Sequence, residues 1–176
     1  MRYLVLFALF ACTGVEAAAF ESFVPAISQE PQPPEETLPY FKKVFSAAVK
    51  GDAEAQIEIG SFYDWGLFVP VDQKEAVKWY RLAAAQDHKT AQYFLGGCYD
   101  FGKGVQQDDK EAVRWYLLAA EQGVKEAQFF LGRKYDFGEG VPEDDKEAGK
   151  WYQSAALQGH SQAQSCLGLN YAVGIG

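Results

Sequence analysis

The sequence predicts an all-α protein, an α-solenoid built from antiparallel helix pairs. Aromatic, small and glycine residues return at a constant spacing of 36 positions. Within each unit the apolar residues follow spacings of three and four, and each helix-length stretch is bounded by capping and stop residues. A fixed period of this size is typical of stacked repeats, in which each unit buries its apolar face on its neighbours. We therefore expect an elongated array and not one closed globule.

Four signals carry the repeat: a Trp-Tyr pair, an Ala-Gln pair, a Leu-Gly pair and a single tyrosine. Their recurrence at fixed offsets is far more specific than any lone motif. It predicts repeats at about 51–86, 87–122 and 123–158, with a partial terminal repeat at 159–176. The signals lie at 79–80, 115–116 and 151–152 (Trp-Tyr), at 55–56, 91–92, 127–128 and 163–164 (Ala-Gln), at 95–96, 131–132 and 167–168 (Leu-Gly), and at 63, 99, 135 and 171 (Tyr).

Each unit is predicted to contain two helices. Asp108 stands at an N-cap position, with Glu111 three residues later as in a capping box. The helix that begins there carries an apolar face with the Trp-Tyr pair. The next helix is predicted over 125–137, and Gly138 supplies the left-handed residue that ends it. Because the connecting loops are short, neighbouring helices must run antiparallel.

These residues resemble the Sel1-like repeat, a subfamily of the tetratricopeptide-type helical hairpins, over about residues 39–176. The resemblance implies a right-handed α-solenoid and the work of an adaptor. Two departures concern local geometry. Phe68 replaces the second loop glycine of the first repeat, and Gly149 replaces the valine found at Val77 and Val113.

The N-terminal residues predict export. Residues 1–19 combine Arg2, a short apolar run and small residues before Phe20, as in a cleaved signal peptide, so the mature protein would be periplasmic or secreted. In an alternative interpretation the signal is that of a lipoprotein, and Cys12 would be lipidated and become the mature N-terminus. In a eukaryote, the destination of the exported protein would be the lumen of the endoplasmic reticulum. Residues 20–38, rich in Pro and Glu, are predicted to be a flexible spacer.

The two ends of the predicted repeat domain, 39–176, depart from the consensus. Residues 39–50 align with the second helix of a repeat, but Lys43-Val44 replaces the Trp-Tyr pair, which fits a capping helix. The last helix matches the repeat pattern less well, because Ser165 and Cys166 stand where earlier repeats carry aromatic residues.

No group of residues predicts catalysis, a cofactor or a metal site. Asp100-Phe101-Gly102 spells a kinase triplet without the companion motifs of a kinase. His88 and His160 occupy one offset two repeats apart, roughly 20 Å from each other if helices pack at about 10 Å, and so cannot share a metal ion. The competing interpretation is an envelope enzyme that acts on peptidoglycan or β-lactams.

The cysteines predict free thiols. Some secreted proteins of the family that this chain resembles carry a cysteine pair in every repeat. Here Cys98 and Cys166 belong to helices two repeats apart, beyond the roughly 7 Å limit on the Cα distance of a disulfide. We expect both thiols to be free and largely buried.

Composition favours a protein or peptide partner. A formal net charge of -8 argues against nucleic acid and anionic membrane surfaces and leaves basic segments open. The apolar run of the signal is too short to be a transmembrane segment, and we expect the protein to be monomeric by itself. A third possibility is a structural subunit of a periplasmic machine.

The partner site is predicted on the first helix of each hairpin, which lines the concave face in tetratricopeptide-type arrays. Residues at helical spacing form an aromatic row beside an aspartate row. Because the aspartates stand near helix C-termini, where the dipole disfavours negative charge, helix stability does not explain them. In the alternative, the aromatics close the hairpin core and the aspartates bond to loop amides. The candidate residues are Asp64, Trp65, Tyr93, Asp100, Phe101, Phe129, Arg133, Asp136 and Phe137.

Overall fold

The computed structural model describes the backbone of residues 38–173 and the side chains of residues 39–167. This part of the chain is entirely helical. The predicted signal peptide, the alternative site at Cys12 and all of the spacer except Leu38 lie outside the described residues. The helices are α1 (Leu38–Val49), α2 (Ala53–Trp65), α3 (Gln73–Ala84), α4 (Lys89–Phe101), α5 (Asp109–Glu121), α6 (Lys125–Phe137), α7 (Asp145–Leu157) and α8 (Ser161–Val173).

The predicted helix pairs are confirmed. The Asp108 carboxylate accepts hydrogen bonds from the main-chain N–H groups of Lys110 and Glu111, and α6 has the predicted bounds. Gly138 ends α6 in the left-handed conformation, with φ of 66°. Each helix packs on its neighbours in the chain, as expected of a solenoid.

Buried tyrosines lie over small residues inside each hairpin. Tyr80, Tyr116 and Tyr152 are fully buried. A Cβ added at Gly132 would lie 2.7 Å from Cδ1 of Tyr152, so the backbone of α6 approaches this ring too closely to leave room for a side chain. Trp115, the residue before Tyr116, is only partly buried. The tyrosine is the core member of the Trp-Tyr pair.

A ladder of glutamines connects successive repeats. Nε2 of Gln128 donates to the carbonyl oxygen of Ala120 at 3.1 Å, and its Oε1 accepts from Nε2 of Gln158 at 2.8 Å. Gln86 donates to Gln56 in the same way, also at 2.8 Å. These bonds satisfy the polar atoms of a buried amide and tie each hairpin to the helix before it.

The structure of the loops shows how Phe68 replaces the second loop glycine in the first repeat. A Cβ at Gly140 would collide with the main-chain oxygen of Asp109 in the preceding unit, so that position requires glycine. Phe68 keeps the left-handed turn, with φ of 68°, and its ring lies 4.7 Å from the ring of Phe62 and 6.3 Å from that of Phe41. In the first loop the aromatic ring therefore packs over α1.

Both described cysteines are free, as predicted. Cys98 is buried, and this burial, reinforced by the charge of Asp64, raises the pKa of its thiol to about 12. Cys166 is only partly buried, so the expectation of two largely buried thiols holds for Cys98 alone.

Candidate interaction groove

Three aromatic side chains project into solvent at the ends of the first helices. Trp65, Phe101 and Phe137 end α2, α4 and α6, and they are 58%, 59% and 62% exposed. Single exposed apolar residues are common on protein surfaces, but a row of large aromatics at equivalent positions is unusual. These members of the predicted aromatic row therefore remain available to a partner.

Inner rings connect two of the exposed ones, Trp65 and Phe101. Trp65 contacts Phe94, and Phe101 contacts Phe130, each with near-perpendicular rings and centroids 6.4 Å apart. The rings of Tyr93 and Phe130 lie 6.3 Å apart, which joins one repeat to the next. We call this row of rings the aromatic groove. Ring contacts join its first five members, and Phe137 extends the row one repeat further. The groove comprises Trp65, Tyr93, Phe94, Phe101, Phe130 and Phe137.

Phe129 lies beneath the groove and not in it. Its side chain is buried, and its ring stacks on that of His160 at 4.5 Å between centroids. For this residue the core interpretation of the aromatic row is correct. Phe130, the next residue in the chain, belongs to the groove instead, although it is not among the partner-binding residues predicted from the sequence.

The aspartates accept hydrogen bonds from the buried tyrosines. The hydroxyl of Tyr116 donates to Asp100 at 3.1 Å, and that of Tyr152 donates to Asp136 at 3.0 Å. Burial, followed by the charge of Asp100, raises the pKa of Tyr116, so its hydroxyl stays a donor at neutral pH. The alternative prediction, that the aspartates bond to loop amides, does not describe these bonds, because the donors are tyrosine hydroxyls. The two aspartates nevertheless have a structural function. The sequence signal was the constant separation of 16 residues between each Asp and Tyr.

Lys134 forms a network that sequence reasoning missed. Its ammonium contacts the carboxylates of Asp109 and Glu139, each at 2.9 Å, and also that of Asp100. The side chain is only 4% exposed. Desolvation by itself would lower the pKa of Lys134, but the hydrogen bonds that its ammonium donates to the three carboxylates outweigh it and raise that pKa. Asp100 is therefore held inside the protein and does not present its carboxylate to a partner.

A cavity of about 240 Å³ opens beside this network. Carboxylate oxygens of Asp100, Asp109 and Glu139 all lie within 4.8 Å of one another, a spacing that a metal ion could bridge. The Lys134 ammonium already contacts all three and lies where such an ion would bind. The lining residues are Asp100, Phe101, Gln107, Asp109, Phe130, Arg133, Lys134 and Glu139.

The remaining predicted residues lie at the edge of the groove. Arg133 is exposed, and its guanidinium carbon lies 5.9 Å from the ring centroid of Phe137. Asp64 is partly buried, and in its repeat the hydroxyl of Tyr80 lies 3.4 Å from Oγ of Ser61. Between residues 38 and 173, the helices lack the length and apolar character that a bilayer span requires.

Stacked helical hairpins with an exposed groove define a class, the tandem-repeat helical scaffolds. Residues 53–88, 89–124 and 125–160 each match the Sel1 repeat, and the chain belongs to this family. The matched units keep the 36-residue period and begin two residues later than the units predicted above. Sel1-repeat proteins are in general protein-interaction scaffolds.

Solved structures of the same fold support this assignment. A protective antigen of uropathogenic Escherichia coli, c5321, is 39% identical with a TM-score of 0.74, over 78% of this chain and 29% of the antigen. A Sel1 repeat protein from Oxalobacter formigenes is 38% identical with a TM-score of 0.66, over 72% of this chain and 95% of that one. The cysteine rich protein B of Helicobacter pylori, 21% identical over 76% of this chain and 93% of its own with a TM-score of 0.57, shows the fold alone. None of the curated proteins matches the sequence.

Proposed function

We propose that this protein is a non-catalytic scaffold that holds a polypeptide partner in the aromatic groove, within a complex of the cell envelope or secretory pathway. The observation that carries the proposal is the equivalent exposure of Trp65, Phe101 and Phe137, one in each full repeat. Each ring presents a large apolar face, and the inner rings join those of Trp65 and Phe101.

Aromatic side chains favour this function on energetic grounds. They bring a large contact area at a low cost in conformational entropy, and they dominate the energetics of many protein interfaces. The groove is also bordered by structurally fixed groups, since Asp100 and Asp136 are held by tyrosine hydroxyls. A preorganised surface loses little freedom when a partner binds.

The test compares groove variants with variants of the second helices. Phe101→Ser with Phe137→Ser removes two exposed rings, whereas Leu82→Ser with Leu118→Ser removes exposed side chains of α3 and α5. Partners are isolated from the native compartment with the wild-type protein, then purified and titrated against each variant. We expect the groove variant to lose binding and the control to retain it, with both folded by circular dichroism. Equal binding by the groove variant and the wild type would refute the proposal.

Export is part of this proposal and is supported by the composition of residues 1–19. We expect the mature chain to begin at Phe20 and to be monomeric in the absence of its partner. Mass spectrometry of the N-terminus in the native host measures the first, and sedimentation measures the second. A lipid-modified Cys12 would replace the soluble export route with membrane anchoring.

A further inference from the structure

We propose that the cavity beside Phe101 is the specificity pocket of the aromatic groove and takes one basic side chain, Lys or Arg, of an extended partner segment. This inference rests on the proposed function and adds the chemistry of the partner. It moves the contact with a basic residue from the aspartate row, which the protein uses internally, to Asp109 and Glu139.

The charges around the cavity favour a cation. Asp100, Asp109 and Glu139 contribute three negative charges, and Lys134 and Arg133 contribute two positive ones, so one negative charge remains. The positive charge of Lys134 is enclosed, because its side chain is 4% exposed. The side chains of Asp109 and Glu139 are 39% and 47% exposed, and Arg133 is exposed as well, so two carboxylates and one guanidinium reach solvent around the cavity.

The walls of the cavity suit the rest of a Lys or Arg side chain. Phe101 and Phe130 meet at nearly a right angle, 82° between ring planes, and both line the space. An aliphatic stem can pack along these rings while its charged head reaches the carboxylates. A guanidinium or ammonium over the exposed face of Phe101 gains a cation–π contact as well.

Other occupants fit less well. An anion would meet the excess negative charge, and an apolar side chain would remove water from the exposed parts of Asp109 and Glu139 without compensating the remaining negative charge. A metal ion would have to displace the Lys134 ammonium from contacts at 2.9 Å. Basic side chains alone satisfy both the walls and the charge.

The pocket occurs once among the described repeats, so it can fix the position of the partner along the groove. One repeat earlier, Cys98 stands in place of Lys134, Gln73 in place of Asp109 and Lys103 in place of Glu139. The exposed aromatics repeat and the charged pocket does not. The partner segment therefore needs apolar residues on both sides of a single basic residue.

The experiment uses displayed random peptides selected on the full-length mature protein. The best peptide is then synthesised with its basic residue unchanged, or replaced by citrulline, which keeps the shape of arginine without its charge. Both forms are titrated against the wild type, the variant Asp109→Asn with Glu139→Gln, and the control Asp145→Asn with Glu121→Gln. The control removes two carboxylate charges, as the pocket variant does. One of them, Asp145, is the equivalent of Asp109 one repeat later.

We expect selected peptides to share one Lys or Arg beside aromatic or aliphatic residues. Removing its charge should weaken binding to the wild type and the control about tenfold, the combined effect of an ion pair and a cation–π contact. It should weaken binding to the pocket variant by only about threefold, because the cation–π contact with Phe101 remains. Peptides that bind the groove without a basic residue, or an equal loss on all three proteins, would overturn the pocket while leaving the groove intact. Selection of no peptide that depends on Phe101 would overturn the groove and the pocket together.

Discussion

Gly132 shows how a single residue sets the distance between two helices. Its position beneath the buried Tyr152 leaves no room for a side chain, because a Cβ would lie 2.7 Å from the ring. We predict that Gly132→Leu lowers the free energy of unfolding by roughly 1 to 3 kcal/mol through overpacking. Urea denaturation followed by circular dichroism measures it.

Gly149 provides the matched control, since a Cβ there would meet nothing within 4 Å. Gly149→Ala should raise the free energy of unfolding by about 0.5 to 1 kcal/mol, the ordinary gain from replacing glycine inside a helix. If both substitutions changed stability by the same amount and sign, close packing would not be the cause.

The buried tyrosines predict a loss of stability at alkaline pH. Burial is the largest cause that raises the pKa of Tyr80, Tyr116 and Tyr152 above 10.0 in the folded protein. Their contribution to stability is complete below pH 10.0, the ordinary value, and falls as the pH rises above it, because the unfolded state releases protons that the native state keeps. Urea denaturation at a series of alkaline pH values should show this slope. Tyr116→Phe should reduce the pH dependence of the free energy of unfolding by the amount that corresponds to about one proton. An unchanged pH dependence would contradict the account.

At the scale of elements, Lys134 ties the end of α4, the start of α5 and the loop after α6 together. Lys134→Met would leave Asp100 buried without its cation, and we predict a loss of about 3 kcal/mol, the lower end for a broken buried pair. Denaturant titration measures this loss. Adding Asp100→Asn should recover part of the stability, since the uncompensated charge is then gone. A melting temperature that does not respond to Lys134→Met would show that the network is not structural.

The helices were predictable from the sequence because their signals are local, whereas the network of Lys134 was not predictable. Asp108 and Gly138 act within a few residues of their own helix, and α6 has the predicted ends for that reason. Lys134 instead meets Asp109 from 25 residues away, through a geometry that only stacking creates. The hydrogen bond from Tyr116 to Asp100 lies between these cases, because its spacing of 16 residues was visible but the partner atoms were not.

At the scale of the whole molecule, each unit depends on the units beside it. The last helix that the structure describes, α8, packs on α7, and among its described side chains, residues 161–167, only Ala163 is buried. We predict that amide protons of α8 exchange with solvent faster than those of α4 and α5, which have neighbours on both sides. Hydrogen exchange followed by mass spectrometry tests this. Uniform protection along the chain would indicate a single cooperative unit instead.

The partner-binding groove is the central claim, and site-specific photo-crosslinking in the native host tests it most directly. A photoreactive phenylalanine replaces Phe101 in the groove or, as a matched control, Leu118 on the exposed face of α5. The account predicts a discrete crosslinked partner from position 101 and none from position 118. A partner that crosslinks from position 118 and not from position 101 would contradict it.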